Sequence, residues 1–283
     1  MKGWWTYEFM QHGMLALVFL SMGAAPVGVF LQLRRMSLTG DAMAHAILPG
    51  AALGYLVAGL SLPAMTLGGM VAGLTVAVTA GLVARRSALR EDSSLAAFYL
   101  LSLALGVMLI SARGNNVDLL HVLFGNVLAL EVETLLFVVF TGVLTVVLMV
   151  LLRRPLVLDS FDPDFLKGIS RWGGAAHAVF MALMVLNLVA GFHAMGTLLS
   201  VGLMVLPAAT VRLWVTSLTA LLVGSVLLAM GASIAGLAAS FVFDWPTSPL
   251  IVVVLGTAYV VSMLVAPQGA VRYQLASRHH LEN

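Results

Sequence analysis

Apolar residues recur along this chain in runs of about 18 to 24, the length that carries an α-helix across the hydrocarbon core of a bilayer. Nine such runs predict spans at roughly 12–33, 38–59, 62–84, 94–111, 132–152, 173–191, 194–211, 217–243 and 246–266. The segment 117–130, VDLLHVLFGNVLAL, is too short to cross and is expected to form an outer interfacial or re-entrant helix. The expected class is an all-α polytopic membrane protein with nine spans, or eight should one segment be re-entrant. It is read as one domain over 1–283, with 12–266 embedded, a cytoplasmic loop at 153–172 and a cytoplasmic tail at 267–283.

Composition agrees with that reading. Hydrophobic residues make up 61% of the chain and charged residues 9%, against about 25% charged in soluble domains. There is no cysteine, which excludes disulfides and thiolate metal sites. The first apolar run follows Lys2, Glu8 and His12 without a small-residue cleavage site, so it is read as a retained span. The basic residues sit at span ends and give no reason to expect nucleic acid.

Those basic residues set the orientation. With the N-terminus outside and the C-terminus inside, twelve of the fourteen fall inside, from Arg34 and Arg35 through Arg212 to Arg278; only Lys2 and Arg113 fall outside. The outer side then carries Glu8, Asp118, Glu131, Glu133 and Asp244, with His12, His121 and His193 nearby. Such a surface attracts cations, although positive-inside sorting alone leaves the outside acidic. The inner loop reads RRPLVLDSFDPDFLKGISRW, and Asp162-Pro163-Asp164 has the form of a helix start, with a cap, a proline and an acid in the first turn. A bare connector fits that loop equally well.

One constellation stands out inside the spans. Asp41 and His45 are four residues apart in the second span, so they share a helix face about 6 Å apart along the axis. A carboxylate within a span is costly and marks ion or proton pathways. Carboxylate oxygen with imidazole nitrogen suits manganese, iron(II) or zinc. Two ligands from one helix hold a metal loosely, as transport requires. Pro49 and the flanking glycines loosen the same helix. The competing reading is structural: Asp41 caps the helix just inside Arg34 and Arg35, and His45 makes one hydrogen bond. His193 and His121 also read as ordinary interfacial histidines, and the sixteen scattered methionines as packing.

The only lysines, Lys2 and Lys167, lie outside any G-x-x-x-x-G-K-[ST] pattern, so no Walker A loop exists in this sequence. Transport would be passive, ion-coupled or driven by a separate ATPase. The stretch Leu206-Pro207-Ala208-Ala209-Thr210-Val211-Arg212 ends a span on the inside with a basic tip that suits a cytoplasmic partner, or is simply a kinked helix end. Leu48-Pro49-Gly50-Ala51 echoes Leu206-Pro207-Ala208-Ala209 in an oppositely directed span, as an inverted repeat would.

The sequence resembles the membrane subunit of the zinc/manganese/iron ABC importers. The most specific block is SLTGDAMAHAILPGAALGYL at 37–56. It is followed in family order by Arg90-Glu91-Asp92 with LSLALGVMLIS at 101–111, LFGNVLAL at 123–130 and Ser160-Phe161-Asp162-Pro163-Asp164. MGTLLSVGLMVLPAATVRLW at 195–214 and Asp244-Trp245-Pro246-Thr247 complete the series. The resemblance implies a permease without its own nucleotide site or permanently bound cofactor, in a bacterial inner membrane. It implies a homodimer or paired permease on two cytoplasmic ATPase subunits, fed by a periplasmic or extracellular metal-binding protein. It implies that Asp41 and His45 contact the transported Zn2+ or Mn2+, and that Pro207, Thr210 and Arg212 lie where the ATPase couples. Many relatives carry an acid shortly before the Gly-x-Leu-Leu block, where this chain has Gly191-Phe192-His193. That difference adds His193 as a candidate ligand and places zinc ahead of manganese, with iron third. The rival readings are a proton- or ion-coupled secondary transporter using Asp41, and an intramembrane metalloenzyme, which the absence of H-E-x-x-H disfavours.

Overall fold

The computed structural model describes residues 7–59, 61–86, 91–112, 130–161, 165 and 172–269. Ten helices and no strand occur among them: α1 Glu8–Leu33, α2 Thr39–Ala58, α3 Leu62–Arg86, α4 Glu91–Ala112, α5 Val132–Leu151, α6 Arg153–Phe161, α7 Trp172–Met195, α8 Thr197–Arg212, α9 Leu218–Phe243 and α10 Thr247–Val265. Seven of them, α1, α2, α3, α5, α7, α9 and α10, hold stretches long and apolar enough to cross a membrane. The apolar stretches of α4 and α8 are shorter, 93–108 and 197–212. The expected outer helix at 117–130 falls outside the described residues except for Leu130.

Hydrocarbon offers no water to satisfy backbone groups, so each apolar run closes its own hydrogen bonds as a helix. Association then depends on close packing rather than on a hydrophobic drive. α1 is the axis of the bundle: it packs on α5, α7, α8 and α9, and side chains such as Leu17, Ala25, Val27 and Leu31 are fully buried. α2, α3 and α4 form a second group that meets the first mainly through α7 and α8.

Small residues permit these contacts. Gly28 of α1 lies against the backbone carbonyl of Met204 in α8, leaving no space for a Cβ. Gly50 of α2 and Gly68 of α3 likewise meet backbone to backbone. Where α1, α5 and α7 converge, the buried Asn187 amide donates to Thr145 Oγ1 at 2.7 Å and to the Leu183 carbonyl at 2.8 Å.

Contacts between helix ends give the bundle two distinct poles. At one, Arg212 Nη1 donates to the Gln32 carbonyl at 3.3 Å, Gln32 Nε2 donates to the Val205 carbonyl at 3.2 Å, and Arg153 donates to Thr219 Oγ1 at 2.7 Å. This pole also holds a buried ion pair, Arg34 to Asp159 at 2.7 Å. His177 Nδ1 lies 3.0 Å from the same guanidinium, which also sits 4.2 Å over the Phe180 ring. At the other pole, the Tyr7 and Phe241 rings meet with centroids 5.7 Å apart, and Ser248 donates to the Met195 carbonyl at 2.8 Å.

Two elements differ from the sequence expectation. The stretch after the fifth span is helical at once: α6 begins at Arg153 and carries Pro155 in its first turn, where a missing N–H costs no intrahelical bond. The helix start expected at Asp162-Pro163-Asp164 lies outside the described residues. The connection between α7 and α8 is one residue, Gly196, with φ 81° and ψ 168°. Only glycine adopts that region without strain. Gly196→Ala is expected to cost about 1–3 kcal/mol, read as a lower midpoint in detergent-denaturation of the purified protein.

Candidate functional site

α2 starts immediately after the turn that closes α1, and its first turn carries Asp41. Leu38 takes the N-cap position, and no side-chain hydrogen bond caps the helix. Asp41 therefore does not fill the capping role that the sequence left open for it. Its carboxylate lies 3.8 Å from His45 Nε2, with the side chains 61% and 35% exposed respectively. Two polar groups thus point together off one face of a helix whose neighbouring positions Ala42, Met43, Ala44, Ala46 and Ile47 are buried.

Pro49 lies four residues beyond His45. It has no N–H, so the His45 carbonyl receives no bond from that position. The helix continues through this gap to Ala58. α4 runs alongside: the Tyr99 ring stacks on the His45 imidazole with centroids 6.2 Å apart and planes 26° apart. Beside this contact, a cavity of about 580 Å³ opens between α2, α3 and α4. Its polar lining comes from the hydroxyls of Thr75, Thr79 and Ser102, with no charged side chain, so it provides space but no ligands for a cation.

His193 is built differently. It lies in the last turn of α7, not at the start of the following span, and its Nδ1 donates to the Val189 carbonyl at 2.8 Å. Phe137 and Phe192 approach its ring edge-on, at 6.5 and 5.2 Å. Nε2 is buried and has no hydrogen-bond partner among the described residues. A histidine held through Nδ1 by a carbonyl, with Nε2 open, has the tautomer of a metal ligand. However, no group of three or more His, Asp or Glu side chains able to hold a metal occurs among the described residues. His193 therefore does not complete the Asp41–His45 pair within one chain. His121 lies outside the described residues.

Of the stretch proposed to meet an ATPase, Pro207 and Thr210 are buried within α8, and the Thr210 hydroxyl donates to the Leu206 carbonyl at 2.8 Å. Arg212 is exposed while keeping its bond to the Gln32 carbonyl. Sequence reasoning missed Tyr99 and the Arg34–Asp159 pair. The available signal was weak: an aromatic in an apolar span, and one acid within Leu156-Val157-Leu158-Asp159.

Comparison with known proteins adds to this geometry. A family model described as the ABC 3 transport family matches residues 6–266. The chain is 31% identical over 275 residues to the manganese import system permease protein ScaB of Streptococcus gordonii, covering 94% of this chain and 95% of that one. It is 28% identical to the chelated iron transport system membrane protein YfeD of Yersinia pestis, covering 92% of this chain and 86% of that one. Among solved structures, PsaBC from Streptococcus pneumoniae in complex with Fab matches with a TM-score of 0.83 at 29% identity, covering 97% of this chain and 96% of that one.

Proposed function

This chain belongs to the ABC 3 transport family and is a multi-pass protein of the bacterial inner membrane, and on that premise we propose that it is the membrane subunit of a manganese importer. The single observation that carries the reading is the Asp41–His45 pair, open on one face of a helix whose neighbouring positions Ala42, Met43, Ala44, Ala46 and Ile47 are buried. A carboxylate that exposed within a span is costly against lipid. It is accommodated where the face lines a hydrated cavity between two permease copies, so a homodimer or a paired permease fits the observation. Oxygen with nitrogen donors suits manganese and iron, and the relatives' names point the same way. Zinc, first in the sequence reading, gives way to manganese because none of the named relatives is a zinc system.

All nine apolar segments serve as spans in this reading, with the N-terminus outside. The pole holding Arg34, Arg153 and Arg212 faces the cytoplasm, in keeping with the positive-inside rule. The opposite pole, with Glu8, His193 and Asp244, faces the metal-binding protein that delivers the ion. Two ATPase subunits dock at the cytoplasmic pole near Arg212, because this chain has no Walker A loop of its own. The domain is one transmembrane unit over 1–283, His193 is a second contact for the ion, and Pro207 and Thr210 belong to the end of α8 that couples to the ATPase.

The test is uptake of radioactive manganese into liposomes holding the chain with its ATPase. Accumulation is expected only when ATP and the binding protein are both supplied. Uptake that persists without ATP and collapses with an uncoupler would replace this reading with an ion-coupled secondary transporter.

A further inference from the structure

Tyr99, Ser102 and Gly106 are spaced at i, i+3 and i+7, so they lie on one face of α4. Each meets α2 within the turn from His45 to Pro49, where one backbone hydrogen bond is missing. The Tyr99 ring stacks on the His45 imidazole at 6.2 Å. The Ser102 hydroxyl donates to the Ala46 carbonyl at 3.3 Å. Gly106 faces the Pro49 ring so closely that a Cβ there would lie 2.6 Å from Pro49 Cβ. The three contacts advance together along both helices, so α4 follows α2 as a parallel splint across the turn that Pro49 weakens.

A pair of ligands beside a missing backbone hydrogen bond needs support that the helix does not supply there. The imidazole plane decides whether Nε2 points towards Asp41 or away from it. The flat face of Tyr99 restricts rotation about the bond that sets that plane. The serine bond and the glycine contact hold the backbone on which the ring is mounted.

We propose that Tyr99 is a positioning residue for His45, and that the Tyr99–Ser102–Gly106 stripe of α4 sets the affinity of the transport site for its cation. The inference rests on the reading of Asp41 and His45 as that site. Supporting partners around metal ligands change affinity about 10- to 100-fold when removed. Tyr99 touches the ligand rather than the ion, so its effect depends on His45 being present. It also depends on the flat ring and not on the phenol hydroxyl.

The test is equilibrium binding of radioactive Mn2+ to the full-length permease in lipid nanodiscs, without ATP or binding protein. Tyr99→Ala is expected to weaken binding about 10-fold. Tyr99→Phe is expected to bind as the parent does. In a His45→Ala background Tyr99→Ala should add nothing further. Should Tyr99→Ala fail to accumulate, Tyr99→Leu, which keeps bulk but not the flat face, is measured in its place with the same expectation. If His45→Ala binds Mn2+ like the parent, the assignment of the site itself fails. If His45→Ala weakens binding but neither Tyr99→Ala nor Tyr99→Leu does, the site stands and the positioning role is overturned. Equal losses with and without His45 would overturn it as well, since they would show a general effect of ring removal on the bundle.

Discussion

Alanine at Asp41 or at His45 is expected to lower ATP-driven manganese uptake at least about 100-fold, because in the proposed transport site each is a direct contact to the ion rather than a supporting one. The protein should nevertheless reach the membrane in normal amount. Both side chains are partly exposed, 61% for Asp41 and 35% for His45; they face each other, and the Tyr99 ring stacks on the imidazole. Neither fills a core position, so their loss opens no cavity of the kind that destabilises a bundle. Uptake and membrane abundance therefore separate: the first falls while the second holds. Normal uptake by both variants would remove the pair from the pathway. His193→Ala is a useful companion. It should reduce uptake less than either, because His193 forms no metal-holding group with the pair among the described residues.

The second large effect is structural. Gly28→Val is expected to prevent assembly of the bundle, since even a Cβ at this position would overlap the carbonyl group of Met204. Backbone cannot rotate aside as a side chain can. α1 and α8 would have to separate along their length, breaking the Gln32–Val205 and Arg212–Gln32 contacts at the same interface. The cost exceeds the roughly 1–3 kcal/mol typical of overpacking. The expected result is near-absence of the variant from the membrane fraction. Gly231→Ala is the control, because nothing among the described residues lies within 4 Å of a Cβ there. If Gly28→Val accumulated and transported normally, the packing of α1 on α8 described above would be wrong.

The helices were legible in the sequence because hydrocarbon leaves a spanning chain few options: long apolar runs must become helices. What the runs do not reveal is where two helices meet without a linker. Ala194 and Met195 read as the start of a new span, yet they complete α7, and the break falls at Gly196. The break depends on a backbone angle, and apolar periodicity says nothing about φ. α6 was hidden for another reason. Its Arg153-Arg154-Pro155 opening resembles a polar connector, and only packing against α1, α5 and α7 makes it a helix worth forming.

The candidate site was half legible. Asp41 and His45 stood out because charge inside a span is costly. Tyr99, Ser102 and Gly106 are ordinary residues in an apolar helix, and their role depends on which helix they face. Arg34 was counted in the sequence only as an orienting charge. The structure gives it a buried carboxylate partner, Asp159, which no spacing rule relates to it.

That ion pair bears on how motion travels. Arg34 belongs to the turn that ends α1, and seven residues later the chain reaches Asp41. Arg35 takes φ 58°, so the corner is tightly wound rather than slack. Asp159 rides on α6 and His177 on α7, and both close on the same guanidinium. The base of the helix bearing Asp41 is in this way riveted to two other helices at the arginine-rich pole. A push delivered there cannot move α6 or the near end of α7 alone. It is carried to the corner as well, and the corner is where the helix bearing Asp41 begins.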